Sequence, residues 1–124
     1  MPTIARLAFL TAAIAAHAPS ALAQGQCTPI RFARGASSAT VSGTATNMDA
    51  GATSACFLLE TGPGQTARVR LTRGGPDTAF TIPDVVDNQS DYQFKTKART
   101  YTISVYQTFR RTPPGPFTLE VAVR

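Results

Sequence analysis

The chain has 124 residues, 43% of them hydrophobic and 15% charged, with no tryptophan, a single histidine and a formal charge of +5. That is the size of one domain, and its positive charge comes without the interleaved aromatic and basic residues that nucleic-acid binding uses. Histidine chemistry is excluded as well if His17 is removed with the leader described next.

The first element is that leader. A short segment ending in Arg6 precedes the apolar run Leu7-Ala8-Phe9-Leu10-Thr11-Ala12-Ala13-Ile14-Ala15-Ala16, then Pro19, then the small-residue site Ala21-Leu22-Ala23. This is the pattern of a secretory signal peptide over 1–23, cleaved after Ala23, which makes Gln24 the first mature residue and 24–124 a single domain. The run is shorter than the roughly 20 residues that cross a bilayer, so no membrane span is expected. Cys27 stands three residues beyond Gln24, not directly after the small-residue site, which argues against a lipid anchor. The expected location is the periplasm, where Cys27 and Cys56, the only cysteines, can form a disulfide. Two cysteines without a mature histidine make a poor metal site or reactive thiol. With Arg6 gone, the remaining 11 Lys and Arg exceed the 7 Asp and Glu by four, a balance that suits anionic partners such as a glycan or another envelope component.

The rest of the chain shows no helical period. Short runs alternate with period two between Gly, Pro, Asp and Asn clusters. Strands are expected at 28–34, 38–46, 54–61, 67–72, 78–83, 91–97, 101–106 and 117–124. Three runs alternate cleanly: 67–72, with Arg68 and Arg70 on one face; 101–106, with Tyr101, Ile103 and Val105 opposite Thr102, Ser104 and Tyr106; and 117–124, with Phe117, Leu119, Val121 and Val123 together. Turn signals sit at Gly35-Ala36, Gly62-Pro63-Gly64, Gly74-Gly75-Pro76 and Pro113-Pro114-Gly115-Pro116. About eight strands, each wet on one face, predict an all-β fold: a small antiparallel sandwich or jelly roll, because two facing sheets cover each other's apolar side. The expected core is Phe32, Val41, Phe57, Leu59, Val69, Leu71, Phe80, Ile82, Phe94, Tyr101, Ile103, Val105, Phe117, Leu119, Val121 and Val123.

Residues for chemistry are sparse. The sequence has no GxSxG elbow, HExxH pair or phosphate-cradling glycine loop. Asp84, Asp87 and Asp91 form the only local carboxylate cluster, without EF-hand spacing, and read as an exposed connection whose Asp and Asn residues cap turns; a weak calcium site or a glycosidase pair there is a minor alternative. No catalytic residue, cofactor or metal is expected. The remaining feature is Phe109-Arg110-Arg111, which leaves a strong strand and enters a proline-rich loop. By composition it reads equally as a binding protrusion and as a solubilising turn between core strands.

The run Phe32-Ala33-Arg34-Gly35-Ala36-Ser37-Ser38-Ala39-Thr40-Val41-Ser42-Gly43 closely resembles the opening motif of the periplasmic inhibitors of goose-type lysozyme. Phe57 and Leu59, Gly64-Gln65-Thr66, Phe80, Tyr101 to Tyr106, the pair Arg110-Arg111 and Phe117-Thr118-Leu119 are similar to later strands and turns of that family. The later motifs also occur in pre-peptidase C-terminal β-sandwich domains, so a non-catalytic carbohydrate- or envelope-binding module is the alternative. The first resemblance implies a secreted β-sandwich that blocks the cleft of a goose-type lysozyme with Arg110 and Arg111, Phe109 being their apolar neighbour. The chain departs from the pattern in having no tyrosine over 46–54, Phe57 where tyrosine is common, Cys56 where aspartate is common, and a shorter approach to the arginine pair. No feature selects an oligomer beyond a monomer or weak homodimer.

Overall fold

The period-two runs form nine strands in a computed structural model that describes residues 27–47 and 55–124. The expected leader and cleavage site, Gln24, and the segment 48–54 lie outside the described residues. The strands are β1 (Cys27–Pro29), β2 (Ser38–Ala45), β3 (Ala55–Thr61), β4 (Thr66–Arg73), β5 (Thr78–Ile82), β6 (Val86–Gln89), β7 (Asp91–Lys95), β8 (Arg99–Gln107) and β9 (Gly115–Val123). They build a five-stranded sheet in the order β1-β3-β8-β5-β6 and a four-stranded sheet in the order β2-β9-β4-β7.

Each apolar row of one sheet faces the other. In the four-stranded sheet, Val41, Leu119 and Leu71 stand side by side, as do Ala39, Val121 and Val69. Opposite them lie Phe57 and Leu59 of β3, Phe80 and Ile82 of β5, and Tyr101, Ile103 and Val105 of β8, all buried. Burying a side chain of this size contributes about 1.5–3 kcal/mol, which is what holds the layers together. Of the expected core residues, Phe32, Val41, Leu71, Phe94 and Val123 are partly buried against the cluster, and the other eleven are buried in it. The sequence reading omitted Ile30, Ala45 and Ala67, which join the same core.

Gly43 shows how tightly the layers meet. It points inward beside Phe117, its cross-strand neighbour, and a Cβ there would stand 3.1 Å from two carbons of that ring. Phe117, 1% exposed, meets Phe57 edge-on across the core at a centroid distance of 6.1 Å. The glycine leaves room for the ring, and the ring covers the glycine.

Three details depart from the sequence reading. The pairs are antiparallel except β1 with β3, which is parallel and sets Cys27 directly beside Cys56, 4.6 Å apart between Cα atoms and disulfide-bonded. On the chain-entropy model, closing a loop with a sequence separation of 29 contributes roughly 3–4 kcal/mol. β1 is also shorter than expected: it stops at Pro29, and the chain turns at Ala33–Ala36, where the Ala36 N–H donates to the Ala33 carbonyl. The ninth strand, β6, lies within 84–91, the stretch read as an exposed connection. It escaped detection because an edge strand packed on one face carries little apolar signal, and because Asn88 sits at φ +50°, which breaks the alternation.

The outer face of the four-stranded sheet is polar. Arg68 grips Asp91 with two bonds of 3.0 and 2.7 Å, and Arg70 donates to Glu120 at 2.7 Å. The Arg68 bond is the main reason the Asp91 carboxyl is held below its ordinary value, with the charges of Arg68 and Arg70 reinforcing it against partial desolvation. Both members of that pair are about half exposed, so the stabilisation is small.

Two outcomes are expected. Gly43→Ala forces the buried Phe117 ring aside and lowers stability by about 1–3 kcal/mol in chemical denaturation. For Asp91, a depressed folded value means its stabilisation is present above the ordinary carboxylate range and is lost as pH falls through the folded value. Asp91→Asn should therefore lower the denaturation midpoint slightly near neutral pH, with the difference vanishing in acid below the ordinary aspartate pKa. A difference that grew on acidification would contradict the assignment.

Candidate functional site

The loop between β8 and β9, residues 108–114, is held at its neck by Gln107 and by groups from two other parts of the chain, 46–47 and 77–78. Gln107, 5% exposed, donates its N–H to the Thr46 carbonyl at 2.9 Å, and its Oε1 accepts from Thr78 Oγ1 at 3.0 Å. Its Nε2 reaches the Pro113 carbonyl across the neck at 3.4 Å. Asp77, in the β4–β5 turn, accepts the Thr108 N–H on its backbone carbonyl and the Thr112 hydroxyl on Oδ2, both at 2.8 Å. Asn47 donates from Nδ2 to the Thr112 carbonyl at 3.3 Å. Within the loop, the Thr112 N–H donates to the Phe109 carbonyl at 3.2 Å, closing a turn over Phe109-Arg110-Arg111-Thr112.

That turn carries all three residues singled out in the sequence. Phe109, Arg110 and Arg111 are exposed, and Phe109, at 63%, is the large hydrophobic side chain left in solvent among the described residues. The exposed ring and the two exposed arginines thus stand together on a turn closed by a backbone hydrogen bond. Prolines 113 and 114 narrow the conformations open to the far side of the loop.

Beside the turn lies a depression of about 610 Å3 on the outer face of the five-stranded sheet, lined in part by Thr81, Asn88, Ser104, Tyr106, Phe109 and Arg110. Sequence reasoning put Tyr106 on the solvent side of β8, and the outer face is where it lies, but it is buried there. The Tyr106 hydroxyl donates to Asn88 Oδ1, the Asn88 N–H donates to Thr81 Oγ1 at 3.2 Å, and Thr81 Oγ1 and the Tyr106 hydroxyl are 2.7 Å apart. With Thr81 donating in the last contact, the three residues form a closed ring of hydrogen bonds, and Tyr106 becomes a fixed floor for the depression. No spacing in the sequence links Thr81, Asn88 and Tyr106. Only the β5–β6 edge brings them together.

The carboxylate cluster does not assemble. Asp84 turns to Arg99, at 3.6 Å, and Asp91 to Arg68, on different sheets, while Asp87 lines the depression. Among the described residues no group of three or more His, Cys, Asp or Glu is placed to hold a metal. No helix among the described residues is long and apolar enough to cross a membrane.

Neither a family model nor a curated protein matches the chain. Solved structures do. The chain is similar to the crystal structure of Aeromonas hydrophila PliG, a periplasmic lysozyme inhibitor of g-type lysozyme, with 24% identity and a TM-score of 0.60 over 80% of this chain and 96% of that one. It is similar to a mutant of the Escherichia coli PliG at 19% identity and a TM-score of 0.57, over 78% and 96% of the two chains. Salmonella Typhimurium PliG matches at 17% identity and a TM-score of 0.56, over 81% and 99%. At these identities the likeness is one of fold: the chain has the two-sheet sandwich of the g-type lysozyme inhibitors, over nearly their whole length.

Proposed function

We infer that this chain is an exported inhibitor of a goose-type lysozyme, acting by inserting the Phe109-Arg110-Arg111 turn into the enzyme's cleft. The observation that carries the reading is the anchored turn itself, an exposed aromatic beside two exposed arginines on a neck tied to Asn47, Asp77 and Gln107. The fold shared with three PliG inhibitors supports it. So does the leader-like sequence over 1–23, which would deliver the domain 24–124 to the periplasm.

The chemistry of inhibition needs no reaction on this chain. Glycoside hydrolysis depends on carboxyl groups in a cleft. A guanidinium can fork onto a carboxylate with two parallel hydrogen bonds, and desolvation in the cleft strengthens them. Phe109 supplies the apolar contact that excludes water around the pair. Because the neck is already bonded, little ordering remains to be done on binding, so more of the contact energy appears as affinity. The depression floored by Tyr106 lies next to the turn, where a protruding wall of the cleft would rest.

Two outcomes test this. Replacing Arg110 and Arg111 together by alanine should weaken binding to a goose-type lysozyme by about 2–5 kcal/mol, roughly 30-fold or more. Unchanged affinity in calorimetric titration would overturn the reading. Thr112→Val removes the bond to Asp77 Oδ2 and keeps both arginines. It should cost about 1 kcal/mol of stability and lower affinity several-fold through loss of preorganisation. Equal affinity with lowered stability would show that the neck serves the fold alone.

A further inference from the structure

The end of the sandwich opposite the arginine turn is the more basic of the two. β8 starts at Arg99 and ends at Gln107, so its nine residues place the two ends about 27 Å apart. At the Arg99 end the register gathers the 30–37 loop, the β3–β4 turn, the β7–β8 turn, the β5–β6 turn and the end of β9. Among the described residues these contribute Arg31, Arg34, Lys95, Lys97, Arg99 and Arg124, all exposed, against two carboxylates, Glu60 and Asp84.

The β7–β8 turn that carries three of these cations is as firmly tied as the neck of the arginine loop. Thr96, buried between Lys95 and Lys97, donates its hydroxyl to the Gly62 carbonyl at 2.7 Å and accepts the Gln65 N–H at 3.1 Å. Its backbone exchanges bonds of 2.8 Å with Gly64 and Gln65. The Thr61 hydroxyl donates to the Lys97 carbonyl at 2.7 Å, and the Lys97 N–H donates to the Tyr101 hydroxyl at 2.9 Å. The guanidinium carbon of Arg99 lies over the Tyr101 ring, 4.7 Å from its centre. Lys95, Lys97 and Arg99 rim one depression of about 460 Å3 with Asp84, Val85, Phe94 and Tyr101. A buried threonine thus fixes two flanking lysines outward, an arrangement that the core does not require.

We propose that this basic end docks the protein onto a phosphate-bearing lipid surface, leaving the arginine turn facing away from it. The cations are spread over several turns at this end and are not gathered around one point, which fits a dense two-dimensional array of phosphates better than one small anion. The Tyr101 ring argues against a sugar as occupant: it is buried and Arg99 lies over it, so it offers no free face for a pyranose. The inference stands on its own residues and is independent of which partner the opposite turn takes.

The experiment is co-sedimentation of the purified protein with phosphatidylcholine vesicles and with vesicles in which phosphatidylglycerol replaces part of the phosphatidylcholine. Retention is expected on the anionic vesicles alone, decreasing as salt is raised through the range where the Debye length falls below about 8 Å. The variant Arg34→Gln, Lys95→Gln, Lys97→Gln changes exposed side chains and should lose retention by about tenfold or more. The Arg110→Ala, Arg111→Ala variant should be retained like the parent. Equal retention of the triple variant, loss of retention in the arginine-turn variant, or no retention of the parent would each overturn the proposal. Vesicle retention abolished by a soluble acidic polysaccharide that binds the parent more tightly would overturn it too, assigning the basic end to a glycan.

Discussion

A slip of β8 by one residue would carry Tyr101, Ile103 and Val105 out of the core and put Thr102 and Ser104 into it. Because β8 is paired on both sides, to β3 and to β5, that slip would also break two ladders at once. The register of this strand is therefore among the most strongly determined features of the molecule. Much else is referred to it: the arginine turn begins where it ends, the basic turn lies where it begins, and the cysteine of β3 is placed opposite Ser104. Hydrophobic burial along one face of a single strand thus sets the positions of groups that never enter the core.

The two ends solve a common problem by the same device. A turn that presents charged side chains to solvent has no apolar contacts to hold it, so its backbone is held by polar side chains reaching out from the strands. Gln107, Asp77 and Asn47 do this at one end, and Thr61, Thr96 and the Tyr101 hydroxyl at the other. Buried polar groups of this kind would be costly if unpaired. Each described here has partners, which converts a liability of the edge of the core into stiffness of the turn above it.

The core was legible in the sequence because alternation survives wherever one face is dry. Phe117, Leu119, Val121 and Val123 could be assigned to one face from spacing alone, and they do share it. Phe109-Arg110-Arg111 was legible as a feature, and its placement on a turn followed from the prolines beyond it, but composition could not say whether the turn was held. The bonds from Asp77 and Asn47 arrive from 35 and 65 residues away. The same distance in sequence hid the hydrogen-bond ring of Thr81, Asn88 and Tyr106, and the parallel pairing of β1, which alternation cannot distinguish from antiparallel. The three aspartates show the opposite case. Closeness along the chain suggested a cluster, yet the chain passes from one sheet to the other between Asp87 and Asp91 and separates them.

The parallel strand β1 closes one edge of the five-stranded sheet. It adds three residues to the edge of β3 and leaves most of its length to irregular chain. A ladder so short holds weakly, and the covalent bond at its first residue converts that loose end into a fixed boundary. The disulfide keeps β1 against part of the seven-residue edge of β3, an edge that without it would be more open to a neighbouring strand. The oxidation state of two sulfurs thus bears on how much open edge this sheet offers to other chains.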